Sequence, residues 1–352
     1  MNAALRDALS RDGAKFGEGA RRPVHFGDPT AELGHALEHC AVADRSDSGR
    51  VVATGPDILD LLQRLSTGDV ASLGPGGGRP TVLTTAKGRI VQRLFVQHLG
   101  PDGVLLIGGP GSAPTVRAYL EKFVFSEELG LSDIGETWSH LVVVGPRARD
   151  AVADAGLVVP EEYATVRAEI DGGTVFVLGH DGLSKSAVSI VVPGDGADRM
   201  WHRLGASVAA MGGSRAGDLA MEARRVLVGL PENGAELDED HNPLEAGLWD
   251  AVSFDKGCYV GQEVVARLRT YDKVSSDLRG FSFDEASEVP APNTAVLAGT
   301  RTVGEITSAL LPPGHSSPVA LGYVKRDHSV PGTELAVGEL RATVVELPFG
   351  AR

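Results

Sequence analysis

The residue pattern predicts an α+β protein built from two split-βαβ-type subdomains and a C-terminal antiparallel β-barrel. Three observations carry this. Paired strands followed by an amphipathic helix occur twice, over 81–125 and 173–210, which is the order of a split βαβ unit. From about Ser276 the helical period disappears, and short strands broken by proline and glycine replace it. Forty-five glycines among 352 residues supply the tight turns such a chain needs. The division is therefore 20–275 for the two α+β subdomains and 276–352 for the barrel.

Taken in order, the stretch MNAALRDALSRDGAKF has no uninterrupted apolar core and reads as a mobile arm or a short amphipathic helix. Thr30 to Glu38 reads as a helix capped by Thr30 or Asp28. His35, His39 and Cys40 invite a metal reading, but Cys40 lies ~100° around a helix from His39, so no metal site is assigned. Residues 50–70 read strand, turn, helix, with Ile58, Leu61, Leu62 and Leu65 as the buried stripe. The loop Gly74 to Pro80 lacks the Gly-Lys-Ser/Thr that cradles phosphate. Alternating strands follow, with turns at Lys87-Gly88 and Gly100 to Gly103. A helix then starts at Ser112 with Pro114 in its first turn, and its stripe is Val116, Tyr119, Leu120, Phe123 and Val124. HLVVVGP is a strand leading to a helix near Arg147 to Ala155. GTVFVLGHD and SAVSIVVPG form a hairpin before a helix from Asp195 that points Met200, Trp201, Leu204 and Val208 inward. FSF, TAVLAG, GEITSA, ALGYV, TELAVG and RATVVELPF are the barrel strands.

Composition excludes several functions. A formal charge of −14 and a pI near 5.2 carry no footprint for nucleic acid or an anionic membrane. No run of eighteen apolar residues exists to span a bilayer. Two cysteines make no disulfide framework, which points to a reducing cytoplasm.

The chemistry concentrates in KGCYVGQEVVARLR, Lys256 to Arg269. Cys258 sits between Gly257 and Gly261, before a short helix on which Val264, Val265 and Leu268 share a side and Glu263 pairs with Arg267. A helix N-terminus and the Lys256 ammonium both favour thiolate over thiol. The plain alternative is a packing cysteine, since free cysteine usually behaves as a small apolar side chain.

KGCYVGQE resembles the K-G-C-[FY]-x-G-Q-E motif of the YgfZ family, folate-binding-type proteins linked to iron–sulfur cluster maturation. That family is related in fold to the glycine-cleavage T-protein, an aminomethyltransferase. MEARRVLVGLP resembles the family's E-A-L-R-I-E-A-G-x-P run and places Glu222 and Arg225 on matching positions. The second acid of that run, which the family gives to the pterin ring, falls on Leu227. The resemblance extends over roughly residues 30 to 350. It implies the three parts packed around a central hole and tetrahydrofolate as a weakly held cofactor. It also implies iron–sulfur client or assembly proteins as partners. On this reading Cys258 and Lys256 are the catalytic candidates. Tyr259, Gly261, Gln262, Glu263, Arg267, Arg269, Glu222 and Arg225 are the binding candidates, with Arg267 or Arg269 near the glutamate tail.

Two functions compete, with a non-catalytic binding module as a third. The strand that carries the transferase's acids reads GGI-x-D-D-L in that family. Here it reads GRIVQRL, so Gln92 and Arg93 stand where carboxylates are wanted. Neither residue can act as a carboxylate. The predicted function is therefore an accessory role in iron–sulfur assembly or repair through the cysteine loop. The alternative is a tetrahydrofolate-dependent aminomethyltransferase or other one-carbon transferase.

Overall fold

The computed structural model describes residues 2–180, 187–284 and 288–350. Two sheets and a closed barrel account for most of the strands. The first sheet runs Gly78–Thr84, Ile90–His98, Val104–Pro110, Ser48–Thr54, Gly130–Asp133 in spatial order. The second runs Thr165–Ile170, Gly173–Leu178, Val188–Pro193, Trp138–Val144, Ala41–Asp44, Ser214–Arg215. Among the described strands of the second sheet, the pairing of Ser214–Arg215 on Ala41–Asp44 is parallel and the others are antiparallel. Residues 181–186, which join the predicted hairpin GTVFVLGHD–SAVSIVVPG, lie outside the described residues.

The duplication inferred from element order is present, and each unit is larger than the segments 81–125 and 173–210. Strand Ser48–Thr54 enters helix Ile58–Leu65 through Gly55 and Pro56, and strand Trp138–Val144 enters helix Ala148–Asp154 through Gly145 and Pro146. The two glycines have nearly equal φ, 105° and 103°. In each, a Cβ would collide with backbone: Glu128 O at 2.1 Å from position 55, and His39 O at 2.7 Å from position 145. The colliding segments lead into the strands Gly130–Asp133 and Ala41–Asp44, which the two units exchange. Ala41–Asp44 precedes Ser48–Thr54 in the chain but pairs with Trp138–Val144. Gly130–Asp133 precedes Trp138–Val144 but pairs with Ser48–Thr54. Residues 40–44 carry no strand signal separable from the preceding helix, so sequence reading passed over this strand.

The sheets meet face to face. Phe95, Leu105 and Ile107 of the first pack on Phe176, Leu178 and Val191 of the second. The outer face of the first sheet is covered by helices Ile58–Leu65 and Ala113–Glu121. The predicted stripe of Ile58, Leu61, Leu62 and Leu65 is buried as read. Ser112 occupies the N-cap position but caps nothing; its hydroxyl is buried between Gly49 and Gly108. The second sheet is covered by Ala197–Ala210, Ala148–Asp154 and Ala3–Arg11. The last of these decides between a mobile arm and a short amphipathic helix in favour of the helix. Leu5, Ala8 and Leu9 are completely buried against the helix carrying Met200 and Trp201. Each buried leucine contributes about 1.5–3 kcal/mol. The first domain therefore begins well before residue 20. The helix Pro29–Glu38 takes Asp28 as its cap, whose carboxylate accepts from Thr30 N (3.0 Å) and Ala31 N (3.2 Å).

The barrel closes in the order Ser276–Phe283, Val319–Lys325, Arg301–Leu310, Ala295–Ala298, Glu334–Val337, Leu340–Val345. All six predicted strands are present, and closure leaves no free edge. Helix Asp218–Val228 joins it to the sheets through Arg225, described next.

Candidate functional site: a central cavity and an outer cysteine loop

Where the sheet pair, the helix Asp218–Val228 and the barrel meet, they enclose a cavity of about 830 Å³. Its wall on the sheet side is aromatic. Phe95 stacks on His180 with centroids 4.5 Å apart, and Tyr163 lies 6.2 Å from Phe95 and 5.6 Å from His180. The Arg93 guanidinium lies over the Phe95 ring, 4.8 Å from its centre. Burial and then the Arg93 charge lower the His180 pKa to about 3, so this imidazole is neutral at physiological pH. Thr165 donates to Gln97 Oε1, which turns the Gln97 amide nitrogen toward His180 Nε2 (2.5 Å). The Tyr163 hydroxyl donates to Asp250 (3.1 Å), tying the second sheet to the segment 246–250 that forms the opposite wall. Arg279 lines the barrel side.

A recess of about 40 Å³ adjoins the cavity, with Arg93, Phe95 and Pro231 lining both. It exists because strand Val104–Pro110 leaves its neighbour after Ile107. Pairing with Ile90–His98 extends only from His98↔Val104 to Phe95↔Ile107. Asn233 fills the gap, accepting from Arg93 N at 3.1 Å. A Cβ at Gly109 would meet Asn233 atoms at 3.0 Å, so the absence of a side chain there makes room for this contact.

The sequence-predicted residues fall elsewhere. Arg225 is buried and reaches no cavity. It donates to Glu222 (2.6 and 2.8 Å), Glu236 (2.8 Å), Leu230 O (2.8 Å) and Ser308 Oγ (2.8 Å). Burial alone would lower its pKa, but the three surrounding carboxylates outweigh burial and raise it. Burial raises the Glu222 pKa, and the Arg225 bonds reverse this, leaving a net decrease. Glu222 and Arg225 thus fasten helix to barrel rather than line a ligand pocket. Leu227, on the lost pterin acid, packs in the same joint, where its carbonyl accepts from Phe349 N (2.8 Å).

Arg267 and Arg269 are on the outer surface. Arg267 reaches Glu263 at 3.9 Å with both side chains mostly exposed, and Arg269 covers the Phe254 ring at 4.0 Å. Neither lines the cavity, so a glutamate tail inside it would meet Arg93 or Arg279 instead. Pairs as exposed as Arg267–Glu263 contribute about 0.2–1 kcal/mol.

The cysteine loop is a separate, outward-facing feature. Cys258 is exposed, and Cys40 is buried with its thiol pKa raised by burial. Helix Gln262–Thr270 follows, with Val265 alone fully buried; Val264, read from the sequence as sharing a side with Val265 and Leu268, is exposed. Gly261 at φ 85° has Thr85 O only 2.6 Å from where a Cβ would be, so the loop presses on the turn at Lys87-Gly88. Val260 N donates to Arg64 O (3.0 Å), and Thr84 Oγ1 donates to Val260 O (2.6 Å). Tyr259 is buried, and burial pushes its pKa up to about 12. Gln262 reaches back to Gly257 O (3.4 Å), while Glu263 points to solvent. Lys256 turns inward. Its ammonium donates to Ser66 O (2.8 Å) and Gly68 O (2.6 Å) beneath the loop. Burial, followed by the Arg79 charge, lowers its pKa to about 8 despite Asp69.

Among the described residues no three His, Cys, Asp or Glu side chains converge as a metal site, and no helix is long and apolar enough to cross a membrane. Phe95, Tyr163, His180, Asn233 and Arg279 escaped sequence reading. They come from five segments with no local pattern in common.

Comparison with known proteins bears on the whole chain. Residues 5–256 match the GCVT N-terminal domain, and residues 277–349 match the glycine cleavage T-protein C-terminal barrel domain. A chloroplastic protein of Arabidopsis thaliana carrying a provisional transferase name is 28% identical over 98% of this chain and 79% of its own. The aminomethyltransferase of Saccharopolyspora erythraea is 28% identical, covering 97% of this chain and 95% of its own. The crystal structure of the glycine cleavage system aminomethyltransferase T from Bartonella henselae superposes with a TM-score of 0.84 at 24% identity. That superposition covers 98% of this chain and 97% of the other. A two-sheet body with exchanged strands, a closed C-terminal barrel, and family matches over nearly the full length lead to one conclusion: the chain belongs to the glycine-cleavage T-protein family.

Proposed function

We propose that this chain is a folate-type accessory protein of iron–sulfur cluster assembly or repair. In this reading it holds a reduced folate in the central cavity and acts on a protein partner through Cys258. The observation that carries the reading is the pairing of two features. Arg93 lines the cavity where a transferase of this family would place a carboxylate, and an exposed thiol stands on an anchored outer loop.

The cavity suits a folate in part. Its volume lies within the usual range for small-molecule sites, and the Phe95–His180–Tyr163 wall offers stacking to a flat ring. Arg93 and Arg279 offer cations to an anionic tail. No acid at position 227 is available to accept the donor pair of a pterin, so the expected affinity is weak. A reduced folate, when bound, would supply a one-carbon carrier; the chain's own residues bind and orient it. Calorimetry with tetrahydrofolate tests this part, and no heat at millimolar ligand removes the folate from the proposal.

A second reading, aminomethyl or other one-carbon transfer, is favoured by the names of the relatives. Gln92 and Arg93 oppose it, since neither supplies the carboxylate that would steady a developing cation. Incubation with aminomethylated carrier protein and tetrahydrofolate decides between the two. Ammonia release well above background would make the transferase the better reading. Its absence, with loss of cluster-enzyme activity in cells carrying Cys258→Ser, supports the accessory role.

A further inference from the structure

The KGC stretch invites the view that Lys256 serves Cys258 as a neighbouring charge. The geometry points to a different task. We infer that Lys256 is a positioning residue, whose ammonium staples the N-terminal foot of the cysteine loop to the end of helix Ile58–Leu65. This rests on the reading of Cys258 as the functional thiol and adds how that thiol is held.

The loop has two feet on one platform. At the far foot, Val260 N donates to Arg64 O, in the last turn of the helix. At the near foot, Lys256 donates to Ser66 O and Gly68 O, just beyond the helix end. Helix C-termini leave carbonyls unpaired and carry partial negative charge, so an ammonium there satisfies both needs. The platform is rigid in its own right. Ser66 and Thr67 are fully buried, and Ser66 Oγ donates back to Leu62 O (2.8 Å). Thr67 Oγ1 donates to Ala251 O (2.6 Å) and accepts from Val82 N (3.0 Å), and Gly68 N donates to Thr81 Oγ1 (2.7 Å). Ser253 N, upstream, also bonds Thr67 O (2.9 Å). Between the feet only three residues remain. A Cβ on Gly257 would touch nothing, Cys258 is exposed, and Tyr259 turns inward beside the lysine, its ring centre 5.3 Å from Nζ.

A second argument is energetic. The Lys256 pKa is lowered by burial, so the folded state holds the charged form at a cost relative to the neutral amine. An ammonium kept in such a place, bonded to two carbonyls at the root of an exposed cysteine, is explained by the conformation it enforces.

The test uses the full chain with Lys256→Met and Lys256→Arg in a Cys40→Ser background, read three ways. Amide exchange over 256–260 should rise at least about tenfold in the Met variant, since a local opening made 1.4 kcal/mol easier exchanges tenfold faster. The pH midpoint for labelling Cys258 with a small maleimide should move by less than about half a unit, because the charge acts on carbonyls. Cluster-enzyme activity in cells should fall in the Met variant. The Arg variant should recover it only in part, because a planar guanidinium cannot reproduce an ammonium's short bonds. A midpoint raised by about one unit or more, with exchange unchanged, would show that Lys256 acts as a charge and would overturn the inference. If Cys258→Ser supports cluster enzymes as well as the parent, the functional reading of the thiol fails. The exchange and labelling results still decide what Lys256 does.

Discussion

The central cavity and the cysteine loop are built in opposite ways. The cavity draws its lining from residues as far apart as Arg93, Tyr163, His180, Asp250 and Arg279, and no two of these are neighbours in the chain. The loop is one run from Lys256 to Gly261, set on a platform of three residues, Ser66 to Gly68, and on the turn at Lys87-Gly88. A cavity assembled from many elements responds to any shift between sheet, helix and barrel. A loop pinned at both ends responds to its feet alone. Damage to one should therefore leave the other intact, and this independence can be tested.

The largest effect belongs to the loop. Cys258→Ser should abolish support for cluster enzymes in cells while changing the melting temperature little, because the side chain is exposed. It should also leave tetrahydrofolate binding as it was. Loss of folate affinity in this variant would break the separation of the two regions.

Next comes the joint of the cavity. Glu236→Leu takes one carboxylate from the buried Arg225 and removes the acceptor of Ser308 Oγ (2.5 Å) and Glu232 N (3.0 Å) as well. Such losses cost about 3–5 kcal/mol, readable by urea unfolding. Folate binding should weaken with it as the barrel wall loosens. Maleimide labelling of Cys258 should not change at temperatures where the chain stays folded.

A smaller effect tests the cavity directly. Arg93→Ala should weaken tetrahydrofolate by tenfold or more, as expected when a charged hydrogen bond of about 1.5–3 kcal/mol is removed. Calorimetry measures it. An unchanged affinity would move the ligand's anionic end to Arg279.

The smallest effect concerns pH. The folded pKa of Lys256, about 8, lies below its ordinary value of 10.5. Between these values the unfolded chain holds more protons, so the lysine's contribution to stability rises with pH across that window. Lys256→Met has no such titration. Its stability should therefore lack the parent's rise with pH, so the difference between the two moves in the parent's favour from pH 7 to pH 10. Parallel unfolding curves at both pH values give the answer, and a difference between parent and Met variant that does not change between them would contradict it.

What could be read from sequence follows the same contrast. The barrel strands, the stripe of helix Ile58–Leu65 and the cysteine loop are each contiguous, so local period and turn residues expose them. Ala41–Asp44 was not legible, since four residues after a helix carry too little period, and its partner lies about a hundred residues on. The duplication did leave a mark, the Gly-Pro pairs at 55–56 and 145–146, with Val52 and Asp60 matched by Val142 and Asp150 at the same offset. Arg267 and Arg269 misled because two cations near a motif look like a tail site, and only the fold shows them facing solvent. The positions of Gln92 and Arg93 were readable only by resemblance; Phe95 and His180 gain their meaning when two strands come together.

The exchange of strands also has a consequence for synthesis. Leu5, Leu9 and Val42 belong to the core of the second sheet, and their partners include Met200, Trp201 and Val208. A ribosome adding ~5–20 residues per second delivers those partners roughly 10–40 s after the N-terminal helix has emerged. Through that interval the helix Ala3–Arg11 must keep an apolar face without its mate. The five-stranded sheet, whose strands all lie between Ser48 and Asp133, is complete much earlier. Birth order and assembly order are thus reversed for this helix relative to the five-stranded sheet, and a chaperone that shields nascent chains has a clear target in residues 3 to 11.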